Sequence, residues 1–116
     1  EKKSSMPLGS QDVYLNVAGG MRISEPAADL GIIATVASLC KNVPIPQSTV
    51  VMGEVGLTGE VRRINLIEKR LKEAEKLGFK TCIIPENNKK GLKDNYKLDI
   101  IGVKNIGEML RILKIK

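Results

Sequence analysis

Between Gly53 and Pro85 the chain reads GEVGLTGEVRRINLIEKRLKEAEKLGFKTCIIP, and no other segment constrains the fold as strongly. Thr49-Val50-Val51-Met52 reads as a strand, and after a glycine-containing turn Leu57 to Arg62 is expected to continue the sheet. Asn65-Leu66-Ile67-Glu68 has capping-box spacing, with Asn65 at the N-cap and Glu68 reaching back to its amide. From Leu66 to Leu77, Ile67, Leu71, Ala74 and Gly78 recur at helical spacing, and Lys69, Lys72, Glu73 and Lys76 fall mostly outward. Gly78 is a C-terminal stop, and Cys82-Ile83-Ile84 is a short apolar strand ended by Pro85.

The flanks extend this alternation. Val13, Leu15 and Val17 alternate with polar residues as a half-buried strand does, and Ala18-Gly19-Gly20 breaks it. Ser24 is placed to cap a helix from Glu25 to Lys41, with Pro26 in the first turn. Ala27, Gly31, Ala34 and Ser38 lay a small-residue stripe along that helix, suited to close packing. Pro44 and Pro46 mark a loop, residues 86–97 a polar loop, Leu98 to Val103 a strand and Ile106 to Leu113 a last helix. Asn105-Ile106-Gly107-Glu108 repeats the capping pattern at that helix. The expectation is an α/β (α+β) domain with mixed sheet pairing, packed helices and no internal repeat.

At 116 residues there is room for one domain with a modest core, here 11–116 after a flexible segment at 1–10. The 42% hydrophobic content excludes wholesale disorder, and no apolar run approaches the about 20 residues of a membrane span. Cys40 and Cys82 sit in apolar segments at no metal or redox spacing and read as small buried side chains. With no histidine, Ser-His and Cys-His triads and His-containing metal sites are excluded. The opening Glu-Lys-Lys-Ser-Ser has no apolar signal core, so a cytoplasmic location is expected.

Nineteen Lys and Arg against thirteen acids give a net charge of +6. Arg62, Arg63, Lys69, Arg70, Lys72 and Lys76 cluster on one turn and helix; Lys89, Lys90, Lys93 and Lys97 cluster on a loop; Arg22 lies in a glycine-bounded segment. Such runs are commonly solvated faces, but a basic surface also binds phosphates by releasing counterions. Aromatics are only 3%, so a base-stacking platform for single strands is not expected and contact would be to backbone.

Ser24-Glu25-Pro26-Ala27-Ala28-Asp29-Leu30-Gly31 and Thr58-Gly59-Glu60-Val61, together with the run to Pro85, make the chain resemble the Lon-type protease domain. The resemblance covers Gln11 to Leu110 and, through Val17-Ala18-Gly19-Gly20 and Glu25 to Asp29, is closest to a non-proteolytic branch that closes a bacterial DNA-repair protein. The family uses a serine nucleophile and a lysine base. Aligning its Pro-Ser-Ala-Gly with Ala28-Asp29-Leu30-Gly31 puts Asp29 at the serine, and aligning Thr-Gly-Glu-Val with Thr58 to Val61 puts Glu68 at the lysine. Two carboxylates supply neither a hydroxyl nor a neutral amine, and would repel if brought together. Ser24 lies five residues too early, and Lys69, one residue on, is turned about 100 degrees away on a helix. The better reading of Asp29 and Glu68 is structural, as first-turn acids.

The resemblance implies a module of a hexameric, ATP-driven branch-migration motor of recombinational repair, providing ring assembly and DNA contact. Its partners would be DNA, further copies of itself, and recombinase, replication or repair proteins, with no membrane. Neither a Gly-Lys-Ser/Thr phosphate loop nor a Cys-x-x-Cys motif occurs, so ATP, Mg and Zn belong to parts of a longer protein outside this chain. Family members carry further strands and a helix before this point, so Glu1-Lys2-Lys3 reads as the end of a truncated helix. A pure oligomerisation scaffold and an active Ser-Lys peptidase are the alternatives.

Overall fold

The computed structural model describes residues 25–116. The expectations for the Val13 to Val17 strand, the Gly19-Gly20 break, Arg22 and the Ser24 cap lie outside those residues. A 3-10 turn at Pro26–Ala28 leads into helix α1 (Asp29–Lys41), strand β1 (Thr49–Val51), the strands β2 (Glu54–Val55) and β3 (Val61–Arg62), and helix α2 (Ile67–Lys76). Strand β4 (Thr81–Pro85), the short helix α3 (Glu86–Lys90), strand β5 (Asp99–Val103) and helix α4 (Ile106–Ile112) follow.

β1, β4 and β5 form a parallel sheet in the order β1-β4-β5, while β2 and β3 pair antiparallel as a separate hairpin. Both pairing modes are therefore present in an α/β fold. The central strand is buried on both faces. Cys82 and Ile84 join Leu71 and Ala74 of α2 in one core, and Ile83 joins Leu30 and Ala34 of α1 and Met109 of α4 in the other. The helix expected from Glu25 begins at Asp29, and the small-residue stripe is buried: Gly31, Ala34 and Ser38 on α1, and Ala27 in the 3-10 turn before it.

Several local expectations are corrected. The extended piece after the turn is Val61–Arg62 alone, and its partner begins at Glu54, because Gly56 to Glu60 is consumed by the turn. There Gly56 N–H donates to Glu60 O (2.9 Å) and Gly59, at φ +84°, donates to Gly56 O (3.0 Å). Residues 86–90, read as loop, are helical, with Pro85 as an extended N-cap that satisfies proline's bar on helix to its own N-terminal side. Cys40 is exposed rather than buried, since it lies on the side of α1 away from the sheet. Gly78 does end α2: its N–H reaches Glu75 O (3.1 Å) and Phe79 N–H reaches Ala74 O (3.1 Å), the paired bonds of a Schellman stop.

The capping box at Asn65 does not form. Leu66 precedes α2 in the left-handed region (φ 57°), with no side-chain cap, because Asn65 serves Arg70 instead. The guanidinium of Arg70 donates Nε–H to Asn65 O (2.9 Å) and Nη2–H to Asn65 Oδ1 (2.8 Å), and it pairs with Glu25 at 3.4 Å. A planar fork that needs two acceptors in one place takes both oxygens of the residue that would otherwise cap. At α4 the cap does form: Asn105 Oδ1 accepts from Glu108 N–H (2.9 Å), and Glu108 Oε1 accepts from the Lys104 amide (2.7 Å).

One buried amide locks the loop after β3 to α3. Asn88 Oδ1 accepts from Ile64 N–H (2.8 Å) and Asn88 Nδ2 donates to Ile64 O (3.0 Å), which reproduces a strand-like pair where no strand is present. Asn88→Ala would leave a donor and an acceptor of buried Ile64 unmatched, at a cost of about 2–4 kcal/mol. In urea the transition midpoint should fall with unchanged slope; a midpoint equal to the parent's would refute the clip. A second expectation concerns the turn. Thr58 and Arg62 hold the Glu60 carboxyl down from the ordinary 4.5 to about 2. A depressed carboxyl supports the folded turn above its unfolded pKa, so that support is intact at neutral pH and is lost as pH falls from about 4.5 towards 2. The Thr58 amide resonance should titrate near the lower end of that range, and the Glu60→Gln variant should lose the transition.

Candidate nucleic-acid interface

The head of α1 is laced to the connection between β1 and β2 by Gly53 N–H to Ala27 O and Leu30 N–H to Gly53 O, both 2.9 Å. Asp29, half-buried in the first turn, follows suit: its Oδ2 accepts from the Val55 amide at 3.3 Å. Glu68, in the first turn of α2, faces a different element. Its carboxylate accepts from the Lys93 amide (3.0 Å) and from the Tyr96 hydroxyl. Glu75 accepts from the Lys97 amide and Lys72 pairs with Asp94 at 3.2 Å, so α2 fastens the segment before β5 at three points. Burial pushes the Tyr96 phenol up, with the Glu68 carboxylate adding to the shift.

Asp29 and Glu68 thus have separate partners, and no hydrogen bond joins them. A cleft of about 410 Å³ does lie between the heads of α1 and α2, but Glu25, Arg63, Ile64, Asn65 and Arg70 line it and neither Asp29 nor Glu68 does. Burial pushes the Cys82 thiol up to about 12, which leaves it protonated and inert. Among the described residues no cluster of His, Cys, Asp and Glu could hold a metal ion.

Basic residues converge elsewhere. An open groove of about 740 Å³ runs between the hairpin, α3 and the end of β5, and Arg62, Arg63, Lys90 and Lys104 line it with Glu54, Glu60 and Glu86. Arg62 and Arg63 come from the turn cluster and Lys90 from the loop cluster; the Asn88 clip places the two side by side. Lys104 is brought in by the bond from Val61 N–H to Lys104 O at 2.8 Å.

Charge in this groove is unequally available. Arg62 is committed to Glu60 (2.8 Å) and lies 3.9 Å from Glu54, and both acids raise its pKa. Arg63, Lys90 and Lys104 are exposed and form no side-chain ion pair among the described residues. Lys69 is exposed on α2 and lines neither the groove nor the cleft, and Lys72 is held by Asp94. Arg70 is corrected from a surface contact to an internal tie, at 6% exposure. Arg22 lies outside the described residues. Lys104 was missed by sequence reasoning because it stands alone before the Asn105 cap, and only the antiparallel bridge of Glu60 with Asn105 and the bond from Val61 N–H to Lys104 O make it part of a cluster.

Comparison with known proteins follows the same lines. Residues 4–115 match the Lon protease (S16) C-terminal proteolytic domain. The chain is 49% identical over 111 residues to the DNA repair protein RadA of Bacillus subtilis, covering 96% of this chain and 24% of that protein. It is 47% identical over 112 residues to RadA of Halalkalibacterium halodurans, covering 97% and 24%, and 41% identical over 116 residues to RadA of Chlamydia muridarum, covering 98% and 26%. It spans about a quarter of the length of the curated relatives it matches. The chain belongs to the Lon protease (S16) C-terminal domain family, in the form that the bacterial DNA repair protein RadA carries.

Proposed function

We propose that this domain is a non-proteolytic module of a bacterial DNA-repair protein and that it contacts the DNA backbone through the groove between the hairpin and α3. The observation that carries the reading is the convergence of Arg63, Lys90 and Lys104, exposed and without ion pairs among the described residues, in a domain similar to RadA throughout. Asp29 and Glu68 stand where the family's serine and lysine belong, and each is spent on a neighbouring backbone amide. A Ser-Lys mechanism needs a hydroxyl to attack and an amine to take its proton, and these positions offer neither.

In a longer protein the module would serve a hexameric ATP-dependent branch-migration motor, both as ring scaffold and as DNA contact. ATP, Mg and Zn would be bound by the other parts, and the location would be the cytoplasm. With few aromatics to stack bases, contact would be to phosphates, weakly dependent on sequence and strongly on salt.

The test is fluorescence anisotropy of labelled duplex and single strand with the chain across a salt series. Three phosphate contacts predict a slope of log affinity against log salt of about −3. Arg63→Glu with Lys90→Glu should abolish binding, while Lys69→Glu, away from the groove, should reduce it little. Absence of binding at low salt with a folded domain would leave the scaffold reading in its place. Turnover of a peptide or protein substrate by the purified chain would refute the non-proteolytic assignment.

A further inference from the structure

The turn of the hairpin surrounds one carboxylate with four donors. Glu60 Oε1 accepts from the Thr58 amide (3.1 Å) and the Thr58 hydroxyl (2.5 Å), and Oε2 accepts from Arg62 Nε–H (3.1 Å) and Nη2–H (2.8 Å). A backbone N–H, a hydroxyl and the edge of a guanidinium are also the donors that hold a phosphate, and they suit any oxyanion that presents two oxygens to them. Gly56 makes the room, since a Cβ there would run into both oxygens of the Glu60 carboxylate. The preference of the turn for an anion is strong: Thr58 and Arg62 hold that carboxyl well below the usual carboxylate range.

The backbone of the turn is fixed independently of the carboxylate. Gly56 N–H to Glu60 O (2.9 Å) and Gly59 N–H to Gly56 O (3.0 Å) close it, and Ile106 N–H to Gly59 O (3.0 Å) ties it to the head of α4. Taking away the Glu60 carboxylate therefore leaves the Thr58 donors in place and releases Arg62 beside them. Glu54 approaches Arg62 Nη1 only to 3.9 Å, so the Nε and Nη2 edge belongs to Glu60. The side chains of Arg62 and Glu60 are 53% and 41% exposed and both line the groove, so an anion in the groove reaches the same donors.

We propose that this turn is a cradle for one phosphate group, filled by the Glu60 carboxylate as an internal substitute that phosphate must displace. As a partner only two residues away, Glu60 outcompetes a phosphate that comes from solution. Where that phosphate belongs to DNA, the inference rests on the groove reading above: Glu60 withholds Arg62, the chain meets the backbone through Arg63, Lys90 and Lys104, and a vacated cradle adds a fourth contact.

Inorganic phosphate and labelled duplex, each titrated into the parent and into Glu60→Ala, test it. At fixed ionic strength, phosphate should shift the Thr58 amide and Arg62 Nε–H resonances saturably in Glu60→Ala and leave them in place in the parent. By anisotropy, Glu60→Ala should bind duplex several-fold more tightly, with a salt slope steeper by about one, and adding Arg62→Ala should return the slope to the parent's. Glu60→Gln, equal in size and uncharged, should steepen the slope likewise and serves if alanine loosens the turn. Resonances that ignore phosphate in Glu60→Ala, equal shifts in the parent, or variants that keep the parent's salt slope would each overturn the proposal. Phosphate that fills the vacated cradle of a chain with no affinity for DNA would uphold the cradle and refute the groove reading, so the two fail separately.

Discussion

Everything in this domain hangs on β4. Cys82, Ile83 and Ile84 are fully buried, and alternation sends Cys82 and Ile84 to the α2 core and Ile83 to the core beneath α1 and α4. Burying one such aliphatic side chain contributes about 1.5–3 kcal/mol, so a strand buried on both faces holds two helical layers with one short run. Parallel neighbours on either side satisfy its backbone; the crossover from β1 to β4 sets α2 on one face of the sheet, while α1, before β1, and α4, after β5, pack on the other.

From that frame the hairpin and α3 project over the carboxyl ends of the strands, and polar side chains rather than apolar ones decide how they meet. Asn88 stands in for a strand by binding both backbone groups of Ile64. Arg70 spends its donors on Asn65 and Glu25 and so joins the heads of α1 and α2. Arg70, one of the cations that sequence grouped as candidate contacts, is therefore internal, while Lys104, isolated in sequence, belongs to the groove.

Asp29 and Glu68 show how carboxylates at helix heads can serve the scaffold. Both stand at the heads of helices, where negative charge is favoured, and each carboxylate accepts a backbone amide from another segment, Val55 for Asp29 and Lys93 for Glu68.

The strands at Thr49–Val51, Thr81–Pro85 and Asp99–Val103, the small-residue stripe, the face of α2 and the Gly78 stop could all be read in the sequence, because each depends on residues within one or two turns of one another. What only tertiary structure decided was where polar groups found partners distant in sequence. Asn65 fits a cap by spacing, yet Arg70 claims it; Cys40 sits in an apolar run, yet faces away from the sheet; residues 86–90 look like a polar loop, yet form a helix once Pro85 and the Asn88 clip fix its course. Local pattern determines which elements form, since backbone propensity and apolar periodicity act at short range. The assignment of hydrogen bonds and charge pairs is settled by competition across the fold, and that competition leaves no local trace.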